Sequence, residues 1–552
     1  MFKKIFFALT KSERLTFLAA TLAAFISGVI LMGLAITAST RAVPASGGEY
    51  TQGMLGQPIY VNPVIASSET DKSLARLVFA NLGSLAEKIE SSPDGRTWTV
   101  RLRENELWQD GEKLTSDDVI FTVQKIQDPA TLSPLSNSWQ GVAVQRLSEL
   151  ELQFTLINPY AFFGDAVRNL YTIPKHLFDD VPAANWKLSD YNLKPVGSGP
   201  YRFIDYSKRL DGFISAYKLA AWDKYSGNRA LINNFNFEFF TSAKDLIKSF
   251  NSGAVDGIMG LVPQELGGIK HTYKLLGFKL PSYYAVFLNQ SKSVPLKDPA
   301  VRRALDILAD QDAITETALA GHGMPAFGPI PQETQYFDAD LANTTTTSGE
   351  DALMRASSTL TTAGWKVDAD GIRKKKVGSG QVPLELTLTV PQIDFLVATG
   401  ETLSNAWQNA GFKINLDIEP PDDIAGGTIK NRDYEMLLFG NVLGKNYDLY
   451  SFWHSSQRFY PGRNLALYNN KNADALIESI RQELDDDKRT AEFKKLQDII
   501  ANDTPAIFLY SPDYLYVANK NLHGADGKQI AEPADIFSTA GEWYLKTARV
   551  LK

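Results

Sequence analysis

The acidic, serine and histidine side chains that carry out chemistry in enzymes are all present in this chain, but not in the arrangements that enzymes use. There is no HExxH pair, no Gly-Lys-Ser/Thr phosphate loop and no Gly-x-Ser-x-Gly elbow, since Ser198 lies in a Gly-Ser-Gly stretch. The acid pairs Asp117–Asp118 and Asp422–Asp423 are local features of a helix start and of a turn. Two carboxylates distant in sequence leave an exported hydrolase open as an alternative. The patterns favour binding over catalysis.

Metal and thiol chemistry find equally little support. The chain has no cysteine, which excludes disulfides, thiolate metal sites and cysteine nucleophiles. It has 5 histidines, none at i, i+4 spacing, so His176 is a weak candidate for a metal ligand. The sequence therefore predicts no metal and no cofactor. A net charge of −7, with both signs interspersed, argues against a nucleic-acid surface.

The N-terminal segment predicts a membrane anchor. Residues 15–39 carry no charge and are long enough to cross a bilayer, and Lys3, Lys4, Lys11 and Arg14 precede them. By the positive-inside rule, the N-terminus stays in the cytoplasm and the bulk of the chain is extracytoplasmic. A cleaved signal peptide is the alternative, but the apolar run is longer than usual and no clear cleavage site follows. We expect a cytoplasmic segment at 1–14, a single-pass signal anchor at 15–39 and a flexible linker at 40–48.

With 552 residues the chain is long enough for two or three lobes. Its most informative stretch, residues 91–128, predicts a strand–turn–strand–helix unit. Residues 93–95 (Pro-Asp-Gly) are typical of a turn, and residues 98–102 (Trp-Thr-Val-Arg-Leu) alternate as a half-buried strand does. Thr115, with Asp118 three positions later, indicates a helix N-terminus with a capping box.

The order and spacing of this unit resemble the extracellular solute-binding proteins of family 5, the dipeptide, oligopeptide and nickel type. Residues 195–201, with two glycines and two prolines, and residues 251–261 and 321–331 resemble further family segments, so the resemblance covers nearly all of the chain from residue 50 to 544. The matching residues in the unit are Asp94, Gly95, Trp98, Thr99, Leu102, Arg103, Trp108, Asp110, Gly111, Asp118 and Val119.

The resemblance implies a mixed α/β, two-lobed fold like that of periplasmic binding proteins (class II, cluster C type), with an extra subdomain in lobe one. The chain would be divided into lobe one at 49–282 with an inserted subdomain at about 63–190, lobe two at 283–512, and a return to lobe one at 513–552. The resemblance also implies a ligand held between the lobes.

Seven residues are candidates for the ligand site on the basis of the resemblance. Gln57 and Tyr60 follow the first strand of lobe one, and Trp139 corresponds to an aromatic residue over the cleft. For each of these three, an ordinary structural role is equally open. Lobe two would contribute the loop after Gly440. Its candidates are Asn441, Asp448, Trp453 and His454.

The sequence departs from the family at the position that would recognise an amine. Peptide binders of the family place an acid a few residues after a Gly-Trp pair, whereas here Asn441 replaces the Trp and no acid occurs before Asp448. An ammonium buried without a partner is costly. Either Asp448 takes this role or the ligand lacks a free amine. We favour the second, because Asp448 matches better the acid before the family's next helix.

Taken together, the sequence predicts a membrane-anchored, monomeric solute-binding protein that closes its lobes on a peptide or similar small solute and delivers it to an ABC transporter permease. One alternative keeps the fold but makes the protein a binder or sensor of an oligosaccharide or a metal chelate. A less favoured alternative is the exported hydrolase. No enzymatic activity and no nucleic-acid partner are expected.

Overall fold

The computed structural model describes residues 10–345, 349–444, 446–527 and 529–552. Strands and helices alternate along it, which confirms the mixed α/β class. In chain order, the strands are β1 (Thr40–Ala45), β2 (Glu49–Leu55), β3 (Ala86–Ser91), β4 (Thr97–Leu102), β5 (Ala143–Arg146), β6 (Glu151–Thr155), β7 (Tyr201–Lys208), β8 (Ile214–Ala221), β9 (Asn234–Phe240), β10 (Gly257–Leu261), β11 (Tyr273–Lys279), β12 (Ser282–Leu288), β13 (Gly323–Pro325), β14 (Lys366–Val367), β15 (Arg373–Val377), β16 (Gly380–Pro383), β17 (Glu385–Pro391), β18 (Lys413–Glu419), β19 (Met436–Val442), β20 (Ala506–Asn519) and β21 (Lys546–Leu551).

The α-helices flank these strands. In chain order they are α1 (Lys11–Ser39), α2 (Glu69–Val78), α3 (Leu82–Leu85), α4 (Ser116–Gln127), α5 (Ser136–Trp139), α6 (Phe163–Arg168), α7 (Lys175–Phe178), α8 (Ala243–Asn251), α9 (Pro299–Ile307), α10 (Gln311–Leu319), α11 (Ala339–Thr345), α12 (Gly349–Thr362), α13 (Asp394–Asn409), α14 (Pro421–Asp423), α15 (Ile429–Asn431), α16 (Tyr450–Trp453), α17 (Lys471–Gln482) and α18 (Asp486–Asp503).

A 12-stranded sheet joins the two halves of the described chain. Its order is β18, β17, β19, β12, β20, β10, β2, β9, β8, β7, and β11 and β13 also pair with β20. We call the side that holds β2 and β7–β11 lobe one, and the side that holds β12 and β17–β19 lobe two. The predicted lobe boundaries near residues 282 and 512 stay a prediction.

Strand β20 belongs to both lobes. Its first part pairs with β12 in lobe two, and its second part pairs with β10 and β11 in lobe one. The chain also passes between the lobes from β11 to β12, at residues 280–281. We call residues 279–282 and 511–514 the crossing segments. Because few chain segments join the lobes here, these residues are where a hinge motion would be absorbed.

The unit at residues 91–128 forms as the sequence predicts. Strands β3 and β4 are antiparallel around a turn in which Gly95 has a positive φ of 67°. Helix α4 follows, and the backbone N–H of Thr115 donates to the carboxylate of Asp118 at 2.9 Å, completing the capping box. With β5 and β6, these strands make a separate 4-stranded sheet, ordered β3, β4, β6, β5. We call this sheet with α4–α6 the inserted subdomain.

Residues 195–201 form a close backbone crossing. The N–H of Gly199 donates to the carbonyl of Val78 at 2.8 Å, and a Cβ added at Gly197 would lie 1.9 Å from that same oxygen. Gln109 donates to the carbonyl of Tyr201 at 2.9 Å from the other side. The glycines are therefore required by contact with the end of α2, and not by a phosphate.

The N-terminal segment differs in part from expectation. Helix α1 has 29 residues, none of its described side chains is buried, and it is the one described helix long and apolar enough to cross a membrane. The flexible linker predicted at 40–48 is wrong in part, because Thr40–Ala45 forms β1, which pairs with β21 from Thr40↔Leu551 to Ala45↔Lys546. A ladder to the C-terminal strand satisfies the backbone groups that a tether would leave to water.

Candidate ligand site at the crossing segments

A cavity of about 380 Å³ lies beside the crossing segments, against lobe two. Ser282, Asp513 and Tyr514 line it from the strands that join the lobes, and Gly440 and Asn441 line it from the end of β19. Such a concave, mostly apolar space with a few polar groups is the usual form of a small-molecule site. Its apolar side chains are Leu280, Tyr284, Pro391, Ile393, Leu396, Pro421, Phe439, Val442 and Pro512.

The end of β19 presents an unpaired backbone edge to this cavity. On one side β19 pairs with β12 over its whole length, whereas on the other side β17 pairs only with Met436 and Leu437. The N–H of Leu443 donates to the carbonyl of Pro281. In an antiparallel pair every second residue bonds to the partner strand, so Asn441 also bonds to β12, whereas the residues on either side of it do not. It follows that Gly440 and Val442 direct their N–H and C=O groups away from β12, where an extended ligand backbone can pair with them.

Asn441 and Trp453 meet inside lobe two. The Asn441 side chain donates to the Tyr283 hydroxyl at 2.9 Å, and the Trp453 indole N–H donates to the same oxygen at 3.0 Å. Burial raises the pKa of Tyr283 far above its ordinary value. Trp453 is fully buried, so its ring is a core residue, while Asn441 reaches the cavity at the end of β19.

His454 is held by its own loop. Its ring stacks on Tyr450 with centroids 4.4 Å apart, and its nitrogens lie 2.8 Å from the Ser456 hydroxyl and 3.2 Å from a Glu478 carboxylate oxygen. Within the described residues, no group of three or more His, Asp or Glu side chains could hold a metal ion. The arrangement orders the loop after α16.

Gln57 and Tyr60 shape the loop that follows β2. The Gln57 side-chain oxygen accepts from the N–H of Ile214 at 2.8 Å, and the N–H of Tyr60 donates to the Asp71 carboxylate at 2.9 Å. Burial raises the pKa of Asp71 although the backbone N–H groups that donate to its carboxylate act in the opposite direction. The Tyr60 ring stays partly exposed, with the Lys187 ammonium 5.9 Å from its centre. Both residues order lobe one, and a ligand role for either remains a prediction.

Trp139 lies in the core of the inserted subdomain. Its ring centroid is 5.5 Å from those of Phe154 and Phe163, edge-on to both, and 3% of the residue is exposed. These contacts favour the structural role that the sequence left open, and the ring offers no face to a ligand in this conformation.

Asp448 links the two lobes. One of its oxygens accepts from the Tyr160 hydroxyl at 2.9 Å and from Arg481 Nε at 3.0 Å. Burial and the adjacent carboxylate raise the pKa of Tyr160 far above its ordinary value. The N–H of Ala161 donates to the carbonyl of Arg481 at 2.8 Å, and Phe162 is buried in the lobe-two core. We call residues 160–163 the strap, since they join the inserted subdomain to lobe two.

The crossing segments and the adjoining start of β12 supply site residues that the sequence did not predict. Tyr284 and Tyr514 line the cavity, and the Tyr514 hydroxyl donates to the Glu69 carboxylate of lobe one. Lys279 Nζ lies 2.7 Å from Asp513 Oδ1 at the same place. Tyrosines cluster in β12, at 283–284, and in β20, at 510, 514 and 516. This clustering is the sequence feature that could have indicated a site here.

Comparison with known proteins agrees with this architecture. The sequence is 24% identical over 528 residues to the oligopeptide-binding protein AppA of Bacillus subtilis, covering 91% of this chain and 93% of that protein. The crystal structure of the ABC transporter substrate-binding protein CtaP of Listeria monocytogenes superposes with a TM-score of 0.78 at 22% identity, covering 91% of this chain and 99% of that one. NikZ of Campylobacter jejuni, in complex with Ni(L-His), superposes with a TM-score of 0.71 at 22% identity, covering 90% and 99%.

The structural matches confirm the two-lobed binding-protein fold that the sequence predicted. The sequence model described as "Bacterial extracellular solute-binding proteins, family 5 Middle" matches residues 82–460, which is more than half of the chain and includes the inserted subdomain, the hinge strand β12 and the end of β19. The chain therefore belongs to the bacterial extracellular solute-binding proteins of family 5.

Proposed function

We propose that this protein binds peptides outside the cytoplasm and delivers them to an ABC importer, with closure of the two lobes around the ligand. The observation that carries the proposal is the unpaired backbone edge of β19 at the cavity. Hydrogen bonds from a strand edge to a ligand backbone recognise a peptide regardless of its side chains. The oligopeptide-binding relative AppA supports the same ligand class.

The energetic requirement of such a site is modest. A micromolar affinity corresponds to about 8 kcal/mol. A few backbone hydrogen bonds, each with a net value of about 1 kcal/mol, and the burial of one or two apolar side chains in the cavity suffice. No step of bond breaking is needed, and we propose that the protein has no catalytic activity of its own.

Native mass spectrometry of the full-length protein in detergent micelles tests the ligand class. We expect peptides to co-purify, or to bind from a mixed peptide library, with masses that vary while the backbone length stays within a narrow range. Recovery of a saccharide or a nickel chelate in place of peptides would overturn the proposal.

A backbone substitution tests the β19 edge directly. Val442→Pro removes the N–H that faces the cavity without removing a donor to β12, because the bonds to β12 come from the alternate residues. We expect about tenfold weaker peptide binding, since one ligand carbonyl loses its donor. Val442→Ala keeps the N–H and is the matched control. Equal affinities of the two variants, with equal melting temperatures, would contradict a role for this edge.

We propose further that the protein is a monomer anchored by α1. The exposed, apolar, 29-residue helix followed immediately by β1 supports the anchor. Expression in a bacterial host, followed by carbonate extraction and intact-mass measurement, tests it. We expect a membrane-bound chain that retains residues 10–39. A released chain starting beyond residue 39 would show a cleaved signal instead.

A further inference from the structure

The one described carboxylate that lines the cavity beside the crossing segments, which we call the hinge cavity, is already paired with a lysine of the protein. Asp513 is the one carboxylate among the described residues that line the cavity, and Lys279 Nζ lies 2.7 Å from its Oδ1. The same ammonium lies 3.5 Å from Glu333. Asp513 therefore already has a counter-ion inside the hinge, and a cationic ligand group would have to compete with Lys279 for it.

Two acids farther from the cavity, Asp448 and Glu69, are bound as well. Asp448 receives the Tyr160 hydroxyl and Arg481 Nε, and its side chain is 16% exposed. Glu69, on the lobe-one side, accepts from Tyr514. A ligand amine that took Asp448 from Arg481 would leave this guanidinium, which is 36% exposed, without its counter-ion.

From this geometry we infer that the ligand group entering the hinge cavity is uncharged and apolar, and that binding does not depend on a free N-terminal amine. The cavity walls are mainly Leu, Ile, Val, Pro and aromatic side chains, including Leu280, Ile393, Leu396 and Phe439. An ammonium entering this space loses its hydration and gains no counter-ion. The inference rests on the proposed function in taking the ligand to be a peptide. The class is then a peptide bound through an internal segment, or one whose amino terminus is blocked.

A matched pair of ligands tests this. Isothermal titration of the full-length protein is carried out with a five-residue apolar peptide and with its N-acetylated form. We expect dissociation constants within about threefold of each other. A further set of peptides carries lysine in place of one apolar residue each. The peptide whose lysine replaces the residue that enters the cavity should bind at least tenfold more weakly than the parent peptide. Weakening of thirtyfold or more on acetylation would overturn the inference.

The variant Asp448→Asn separates a structural from a ligand-binding role of this carboxylate. If Asp448 only joins the lobes, the substitution weakens binding of the free and the acetylated peptide by the same factor. If it binds the ligand amine, only the free peptide loses affinity, and the inference is wrong. Asp394 is exposed near the start of α13, and an amine preference that disappears in Asp394→Asn would overturn the inference in the same way.

The proposed function and the inference are contradicted by different results. If peptides bind but require a free amine, the proposed function stands and the inference falls. If no member of a peptide library binds to the folded full-length protein, the proposed function falls and the inference falls with it.

Discussion

The Trp139 ring packs against Phe154 and Phe163, and the Phe163 ring in turn contacts Trp98. Edge-on contacts of this kind add to the free energy that is gained by burying large aromatic surfaces. The role of Trp139 is therefore to hold α5 against the small sheet of the inserted subdomain, at a distance from the hinge cavity.

Replacing this ring should reduce stability without a specific effect on binding. We expect Trp139→Ala to lower the free energy of unfolding by about 3–5 kcal/mol, because a large cavity replaces the indole. Chemical denaturation measures the change, and titration at low temperature measures ligand affinity in the folded protein. Leu132→Ala, at a 70% exposed position in the same subdomain, is the control. A large loss of affinity with little loss of stability would point to a ligand role for Trp139.

Asp306 predicts a dependence of stability on pH. Burial raises its pKa from 3.8 to about 6, and Arg303 offsets only part of this rise. The folded state therefore holds the proton more tightly than the unfolded state. Protonated Asp306 therefore makes its full contribution to the free energy of unfolding below about pH 4, and this contribution is lost as the pH rises through about 6.

We expect Asp306→Asn to remove this decrease in stability with rising pH, because the amide does not ionise. Relative to the wild type, the free energy of unfolding of the variant should increase by up to about 3 kcal/mol between pH 4 and pH 7. Denaturation curves at several pH values measure the difference, which cancels the contributions of other buried acids such as Asp71 and Asp118. Asp312→Asn, at an exposed position of α10, is the control. Parallel stability profiles for the wild type and Asp306→Asn would contradict the prediction.

The site illustrates which side-chain roles can be read from a sequence. The turn at Gly95 and the capping box at Thr115 depend on residues a few positions apart, so their patterns predict them well. Whether Trp139 faces a ligand or a core depends on β6 and α6, which pack around it from elsewhere in the chain. Likewise, Asp448 is committed to Tyr160, 288 positions away. Such pairings are set by tertiary packing and have no local signature.

Among the elements, the passage at residues 195–201 leaves the least room for an added side chain. The carbonyl of Val78 occupies the space where a Cβ at Gly197 would lie, and backbone atoms cannot move aside as a flexible side chain can. The two glycines and two prolines of this stretch predict a defined, non-repetitive backbone. The partner, the end of α2, could not be predicted, since it lies more than 100 residues earlier.

We expect Gly197→Ala to destabilise lobe one strongly, by about 3 kcal/mol or more, because α2 and β7 must separate. Thermal unfolding and the yield of folded protein are the measurements. Gly267→Ala is a matched control, as an added Cβ there meets no atom within 4 Å. Equal melting temperatures for the two variants would show that the crossing can relax.

The elements that position the site were easier to predict than the site itself. Strands β12, β19 and β20 carry short, nearly continuous apolar runs, a pattern that is typical of buried strands. The unpaired edge of β19 arises because β17 pairs with only two of its residues. That register is a property of the sheet, and no residue in β19 encodes it alone.

For the molecule as a whole, the strap joins the inserted subdomain to lobe two across the cleft. Phe162 is 4% exposed within the lobe-two core, and the Arg489 guanidinium lies 5.8 Å from its ring centre. Arg481 lies over the Tyr160 ring at 5.3 Å. These contacts stabilise the conformation in which the lobes are close together, and they are the contacts that opening would have to break.

We expect Phe162→Ala to shift the protein towards an open form. Loss of the buried ring weakens only the state in which it is buried, so the unliganded radius of gyration should increase and the peptide dissociation constant should rise at least tenfold. Small-angle scattering and titration of the full-length protein measure both. Ile157→Ala, at a 75% exposed position nearby, is the control. An unchanged scattering profile together with unchanged affinity would contradict the prediction.

The position of β20 in the sheet has a consequence for biogenesis. This strand spans Ala506–Asn519 of a 552-residue chain, yet it lies between β10 and β12 and completes the sheet on both sides. During N-to-C-terminal export, the strands that flank it emerge first and wait with bare edges for hundreds of residues to follow. Bare edges are prone to aggregation. Nascent chains of this protein should therefore depend on extracytoplasmic chaperones until the last tenth of the polypeptide has been secreted.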